Sequence, residues 1–158
     1  MLGTYLNILK ESLEKKIEAL MSIEEIGNAQ SELLKKESLD MEAFDRTVDE
    51  KDTYINELNK LDEGFETLYD KIKEELLEQK AQYAGQIKHL QELIGEITDK
   101  SVAIQAQESR NKALVEKHFT RERQELGKSR ISSKAAYGYY KNMNKSAVVD
   151  SHFMDQKK

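Results

Sequence analysis

The 158-residue chain combines 38% hydrophobic with 35% charged residues and contains neither cysteine nor proline. The absence of cysteine excludes a disulfide framework and a thiolate zinc site, which suits the reducing cytoplasm, where we expect the protein to be. The chain starts without a basic flank and apolar run, and no stretch has the ~20 apolar residues that cross a bilayer, so we expect neither a signal peptide nor membrane insertion.

Charge is unevenly distributed along the chain. Residues 127–158 contain seven Lys or Arg and two Asp, a formal charge of +5, whereas the whole chain carries -5. The first 126 residues therefore carry -10. An acidic body is unsuited to nucleic acid, whose binding depends on Lys and Arg neutralising phosphates, so no nucleic-acid partner is predicted.

A heptad pattern of apolar residues predicts a first helix over about residues 4–36. Its mean spacing of about 3.5 residues is typical of a coiled-coil seam. Flanking Ile17, Ile26 and Leu33 widen the seam enough to meet more than one partner helix. The seam itself consists of Leu2, Leu6, Leu9, Leu13, Leu20, Ile23, Gly27 and Leu34.

A second helix is predicted over about residues 40–79, after a short turn at 38–40. Asp40 is its expected N-cap, and Glu42 lies favourably near the positive end of the helix. The seam continues at steps of three or four residues, interrupted by Lys51 and Asp62. Its members are Phe44, Val48, Ile55, Leu58, Phe65, Tyr69, Ile72, Leu76 and Tyr83.

A third helix is predicted over about residues 84–127, after a slip in the register between Leu76 and Ile87. We favour a turn near 79–84, because the polar residues there weaken the seam. The alternative is a single rod of roughly 85 residues, about 128 Å long. The third seam consists of Ile87, Leu90, Ile94, Ile97, Ile104, Val115, Phe119 and Leu126.

Three such segments joined by short turns predict an all-α fold. We expect an elongated antiparallel three-helix coiled-coil bundle over 1–127, about 50–65 Å long, with a partly helical, flexible C-terminal tail over 128–158. Ser101, Glu108 and Asn111 occupy seam positions of the third helix. We interpret them as a register-fixing polar layer or a stretch beyond the ends of the neighbouring helices; the alternative is a polar docking site.

The predicted tail is basic but rich in aromatic and apolar residues. Ala136, Tyr140, Met143 and Ala147 are spaced i, i+4, i+7 and i+11, as on one face of a short amphipathic helix. The tail either folds back onto the bundle or binds a partner, which we favour because Tyr supplies large contact area at low entropic cost. The candidate partner-binding residues are Tyr137, Tyr139, Tyr140, Met143, Val148, Val149, Phe153 and Met154.

The sequence contains no recognisable catalytic constellation. Its three histidines are far apart, and no Gly-rich phosphate-binding motif occurs. His89 and Glu92 lie one helical turn apart, but we interpret them as a solvated face, not a metal site. The basic run 117–123 is interpreted as a solvent-facing helix end, not an anion site. We therefore predict a protein-binding protein that is not an enzyme and holds no cofactor or metal.

Several short motifs resemble those of the FlgN-type flagellar export chaperones. They are Leu6-x-x-Leu9 with Leu13, Ser31-Glu32-Leu33-Leu34, the run Ser38 to Phe44, Glu50-Lys51 before Tyr54-Ile55-x-x-Leu58, the run Glu108 to Leu114, and the final run Phe153 to Lys158. The resemblance extends over nearly the whole chain.

The resemblance implies a cytoplasmic chaperone that holds hook-associated subunits unassembled and delivers them to the type III export gate. It also implies that cargo binds C-terminal apolar and tyrosine residues, here Tyr137, Tyr139, Tyr140 and Met143. Two alternatives stay open. One is a coiled-coil protein like the export-ATPase stalk, with two long helices and no such tail, and the other is a structural spacer coiled coil.

Overall fold

The computed structural model describes residues 1–126, with side chains through Arg121. These residues form three helices, α1 (Leu2–Leu34), α2 (Met41–Glu78) and α3 (Ala84–Leu126). Pairing of Lys16 with Asp62 and of Gln30 with Lys51 shows that α2 starts beside the end of α1 and runs antiparallel to it. Pairing of Gly27 with Asn111 and of Leu34 with His118, both at the same offset along the chain, shows that α3 runs parallel to α1. The predicted all-α three-helix bundle is confirmed.

Local hydrogen bonds explain where the helices begin and end. The Asp40 carboxylate accepts a hydrogen bond from the Ala43 N–H at 3.1 Å and so caps α2, with Glu42 in the first turn. At the other end of α2, the Gln79 N–H still bonds to the Glu75 carbonyl, and residues 79–83 then form a turn. Because of this turn, α2 and α3 are separate helices and not one rod.

The α1 helix is the packing partner of both other helices. Within residues 1–126, close backbone approaches join α1 to α2 and α1 to α3, whereas α2 and α3 meet through side chains. The heptad explains this arrangement, since the seam of α1 is buried and its predicted flanking residues, Ile17, Ile26 and Leu33, are half-buried. A wide stripe is what one helix needs to contact two neighbours.

The buried apolar residues fall into two clusters along the bundle axis. The larger, which we call the proximal cluster, is drawn from residues 2–23, 55–76 and 87–104. The smaller, which we call the distal cluster, lies at the end where α1 turns into α2. It consists of Leu34, Phe44, Val48, Val115 and Phe119.

Candidate functional site

The eight candidate partner-binding residues all lie outside the described residues. They are Tyr137, Tyr139, Tyr140, Met143, Val148, Val149, Phe153 and Met154. Their role therefore stays a prediction. The described part of the chain contributes the scaffold from which residues 127–158 continue.

A layer of buried polar residues separates the proximal from the distal cluster, and we call it the polar belt. Between Ile23 and Leu34 of α1, and at the same height in α2 and α3, the buried residues described are all polar or glycine. The layer is about 16 Å thick, given a rise of 1.5 Å per residue. The polar belt consists of Gly27, Gln30, Lys51, Gln107, Glu108 and Asn111.

Lys51 lies at the centre of the polar belt and is fully buried. Its ammonium group donates a hydrogen bond to Gln30 Oε1 at 2.5 Å and forms an ion pair with the Glu108 carboxylate. One side chain of α2 thus contacts both other helices. Burial lowers the pKa of Lys51 below its ordinary value of 10.5, and the charge and hydrogen bond of Glu108 oppose that shift.

A second set of polar belt contacts joins α3 to α1 around Gly27. Asn111 Nδ2 donates to the Gly27 carbonyl at 3.0 Å. Gln107 Nε2 donates to the Glu24 carbonyl at 3.1 Å and to Asn28 Oδ1 at 2.8 Å. A Cβ atom on Gly27 would overlap the side-chain amide of Gln107, so glycine at this position leaves the room that the amide occupies against α1.

The polar residues predicted in the α3 seam are therefore part of the bundle interior. Ser101, Glu108 and Asn111 are all buried, and the last two bond to α2 and α1. They lie beside their neighbouring helices and not beyond the ends. The alternative of an exposed polar docking site is wrong for these residues, because they are not accessible to a partner.

The interruption of the α2 seam at Asp62 is explained by a partner inside the proximal cluster. Lys16 Nζ lies 2.5 Å from Asp62 Oδ1, and the Lys16 side chain is 1% exposed. The sequence analysis did not identify Lys16 or Gln30 as buried. Both occupy seam positions, three residues after Leu13 and Gly27, and this spacing was the available signal.

Hydrogen bonds join the C-terminal part of α3 to the end of α1 and to the turn that follows it. His118 is buried, and its Nε2 donates to the Leu34 carbonyl at 2.7 Å, while Arg121 Nη1 donates to the Glu37 carbonyl at 2.6 Å. The prediction of a solvent-facing run at 117–123 is wrong for His118 because its ring fills a seam position. His118 follows Ile104 and Asn111 at steps of seven, which could have identified it.

Two features of the described surface bear on ligand binding. His89 Nδ1 lies 3.9 Å from Glu92 Oε2 on an exposed face, and no group of three or more metal-binding side chains occurs among the described residues. A shallow cleft between α1 and α3, lined by Leu6, Lys10 and His89 among others, measures about 240 Å³. None of the three helices, as far as they are described, has a stretch both long and apolar enough to span a membrane.

Comparison with known proteins identifies the family to which the chain is similar. A protein-family model described as FlgN protein matches residues 1–145. The matched range includes all three helices and extends past Tyr137, Tyr139, Tyr140 and Met143, ending before Val148. No curated protein sequence and no solved structure matches the chain significantly.

Proposed function

Because the chain belongs to the FlgN family of flagellar export chaperones, we propose that it binds hook-associated subunits in the cytoplasm and delivers them to the type III export gate. The observation that carries this proposal is the family match over residues 1–145. The match includes four of the eight candidate partner-binding residues, so the proposed binding segment is partly within the range shared with the family.

In the proposed mechanism, the two parts of the chain have different tasks. The bundle acts as an acidic scaffold, since the first 126 residues carry a formal charge of -10, and this charge keeps the loaded complex in solution. The segment 128–158 supplies apolar and aromatic side chains, which pair with a helix-forming end of the subunit. Binding there prevents premature assembly because it covers the surface through which subunits associate.

The two rival functions fit the fold less well. A protein like the export-ATPase stalk was expected to have two long helices, whereas residues 1–126 alone form three. One long rod would have favoured a spacer coiled coil, whereas residues 79–83 form a turn that separates α2 from α3. These differences favour the chaperone.

Calorimetric titration of a purified hook-associated subunit into the full chain tests the proposal. The variant Tyr140→Ala with Met143→Ala removes two central side chains of the predicted apolar face. Each buried anchor typically contributes ~2 kcal/mol or more, roughly thirtyfold in affinity, so the double variant should lose detectable binding. The matched control is Met21→Ala with Leu77→Ala, which removes two exposed apolar side chains of the bundle and should keep the wild-type affinity.

The opposite pattern, with binding lost in the control and kept in the tail variant, would place the cargo site on the bundle. Delivery is tested separately by measuring binding of the chaperone, with and without its subunit, to a purified export-gate component. We expect the loaded chaperone to bind the gate component. Absence of binding in both states would contradict the delivery step while leaving cargo binding intact.

A further inference from the structure

We propose that the bundle opens in two separate units, with the polar belt as the boundary between them. The distal end of the bundle opens reversibly while the proximal cluster stays folded. This inference concerns the bundle itself and does not depend on the proposed function. It rests on the distribution of buried apolar residues, on the nature of the polar belt contacts and on the way the end of α3 is held.

The two apolar clusters differ greatly in size. Among the residues whose side chains are described, nineteen form the proximal cluster and five form the distal cluster. Hydrophobic stabilisation is roughly proportional to the apolar area removed from water, so the described apolar contacts stabilise the distal end much less than the proximal end. Proteins open locally in cooperative units, and the least stable units are those with few buried apolar contacts.

The polar belt couples the two clusters only weakly. Its contacts are hydrogen bonds and one ion pair, whose net contribution is small because the same groups are solvated when the chain opens. No large apolar side chain within the belt is fully buried among the described residues, so apolar packing does not continue from one cluster into the other. The belt is therefore where a partial opening can stop.

The distal unit is closed by contacts between α3 and the turn that joins α1 to α2. Two of them are directional, from His118 to the Leu34 carbonyl and from Arg121 to the Glu37 carbonyl. The α3 helix passes through both clusters, and residues 127–158 continue from its distal end. Opening of this unit would free the point from which the C-terminal segment departs, without disturbing the proximal cluster.

Native-state hydrogen exchange on the full chain measures the two openings separately. The comparison uses α3 amides only, at 90–104 in the proximal part and at 112–119 in the distal part, since both groups lie well inside one helix. In the wild-type chain we expect the distal amides to share one protection factor against hydrogen exchange, lower than that of the proximal amides. Equal protection in both groups would overturn the proposal.

Leu20→Ala and Leu34→Ala are a matched pair, because both residues lie in α1 and both are 2% exposed. Leu20 is buried in the proximal cluster, which is folded both in the native state and in the distally open state. Leu20→Ala therefore destabilises both states equally relative to the unfolded chain. The variant should accelerate hydrogen exchange of the proximal amides by about thirtyfold or more and leave the exchange rates of the distal amides within about twofold of wild type. Leu34→Ala should accelerate both groups, because the distal unit is unfolded in either opening.

Equal acceleration of both groups by Leu20→Ala would show one cooperative unit and overturn the proposal. Ile23→Val gives the same comparison with a smaller change if Leu20→Ala fails to fold. A third variant, Gln30→Leu with Lys51→Met and Glu108→Leu, replaces charged and amide groups of the polar belt by apolar ones. This triple variant should slow hydrogen exchange of the distal amides towards the rate of the proximal amides. Unchanged exchange of the distal amides would show that the polar belt is not the boundary.

Discussion

Lys51 of α2 and Glu108 of α3 form an ion pair in the centre of the bundle, with side chains that are 0% and 5% exposed. The backbones of α2 and α3 do not approach each other closely in residues 1–126, so this pair is a direct side-chain bridge between the two helices. Burial has removed both charged groups from contact with solvent. Removing one of them therefore differs in its effect from removing both.

The first prediction compares a single with a double replacement of this pair. Glu108→Leu leaves the buried Lys51 ammonium without its opposite charge and should lower the free energy of unfolding by about 3 kcal/mol or more. Lys51→Met combined with Glu108→Leu removes both charges and should return stability to wild type or above it. Urea unfolding, with the slopes compared between variants, gives these values. A double variant no more stable than the single one would show that the pair itself stabilises the fold.

The second prediction concerns the pH dependence of the same single variant. The folded pKa of Lys51 is lowered, chiefly by burial, so the unfolded chain binds more protons between that pKa and 10.5. Stability therefore rises with pH across this window. Glu108→Leu removes both effects that raise the pKa, which extends the window to lower pH. The variant should regain stability relative to wild type as the pH rises towards the folded pKa of Lys51 in the wild-type chain, and a difference that stays constant with pH below that pKa would contradict the assignment.

The third prediction concerns the contact between Gly27 of α1 and the Gln107 side chain of α3. Gly27→Ala displaces the Gln107 amide from its bonds to Glu24 and Asn28, and should destabilise the protein by about 1 kcal/mol. In a Gln107→Ala background the three atoms nearest to the new Cβ are gone, and the same change should stabilise the protein by about 0.5–1 kcal/mol, because alanine favours the helix.

Gly64→Ala is the control for this cycle. Gly64 lies in the interior of α2 with open space around it, so alanine there should stabilise the wild-type chain by about 0.5–1 kcal/mol. Thermal unfolding of the four Gly27 and Gln107 combinations gives the coupling between the two residues. If Gly27→Ala stabilised the wild-type chain as much as Gly64→Ala does, the Gln107 contact would be dispensable.

The fold was predictable from the sequence because its main determinants are local or periodic. The leucines from Leu2 to Leu34 repeat with the heptad, and this repeat alone indicates which face of α1 is buried. Asp40 was predictable as an N-cap because capping involves only the first turn of a helix.

The partners of the buried polar residues were not predictable in the same way. That Lys51 meets Glu108 and Gln30, and that Asp62 meets Lys16, depends on how far each helix is shifted along its neighbours. The spacing of apolar residues within one helix carries no information on how far that helix is shifted along its neighbours. His118 was misjudged because its charged sequence neighbours were given more weight than its heptad position. The tail residues, Tyr140 among them, stay a prediction.

The fourth prediction contrasts a buried with an exposed ion pair. Asp62→Ala removes the carboxylate beside the buried Lys16 ammonium and should cost about 3 kcal/mol of stability. Asp70→Ala removes the partner of Lys73 on the surface, where both side chains are about half exposed, and should cost at most about 0.5 kcal/mol. Chemical denaturation of both variants provides the comparison. Similar losses would show that burial of Lys16 does not determine the cost.

The last prediction concerns deletion of residues 128–158. All members of the proximal and distal clusters lie within residues 2–119, so the described core is complete without that segment. The deletion should leave the melting temperature within about 2 °C of wild type and abolish binding of the hook-associated subunit. If the segment instead packs onto the bundle, burial of its tyrosines and Met143 stabilises the fold by ~2 kcal/mol or more, and its loss should lower the melting temperature by about 6 °C or more. Calorimetric unfolding and titration on the same two samples separate these cases. A lowered melting temperature with unimpaired subunit binding would contradict the proposed role of the segment, because it would make the tail a structural part of the bundle and leave the cargo site elsewhere.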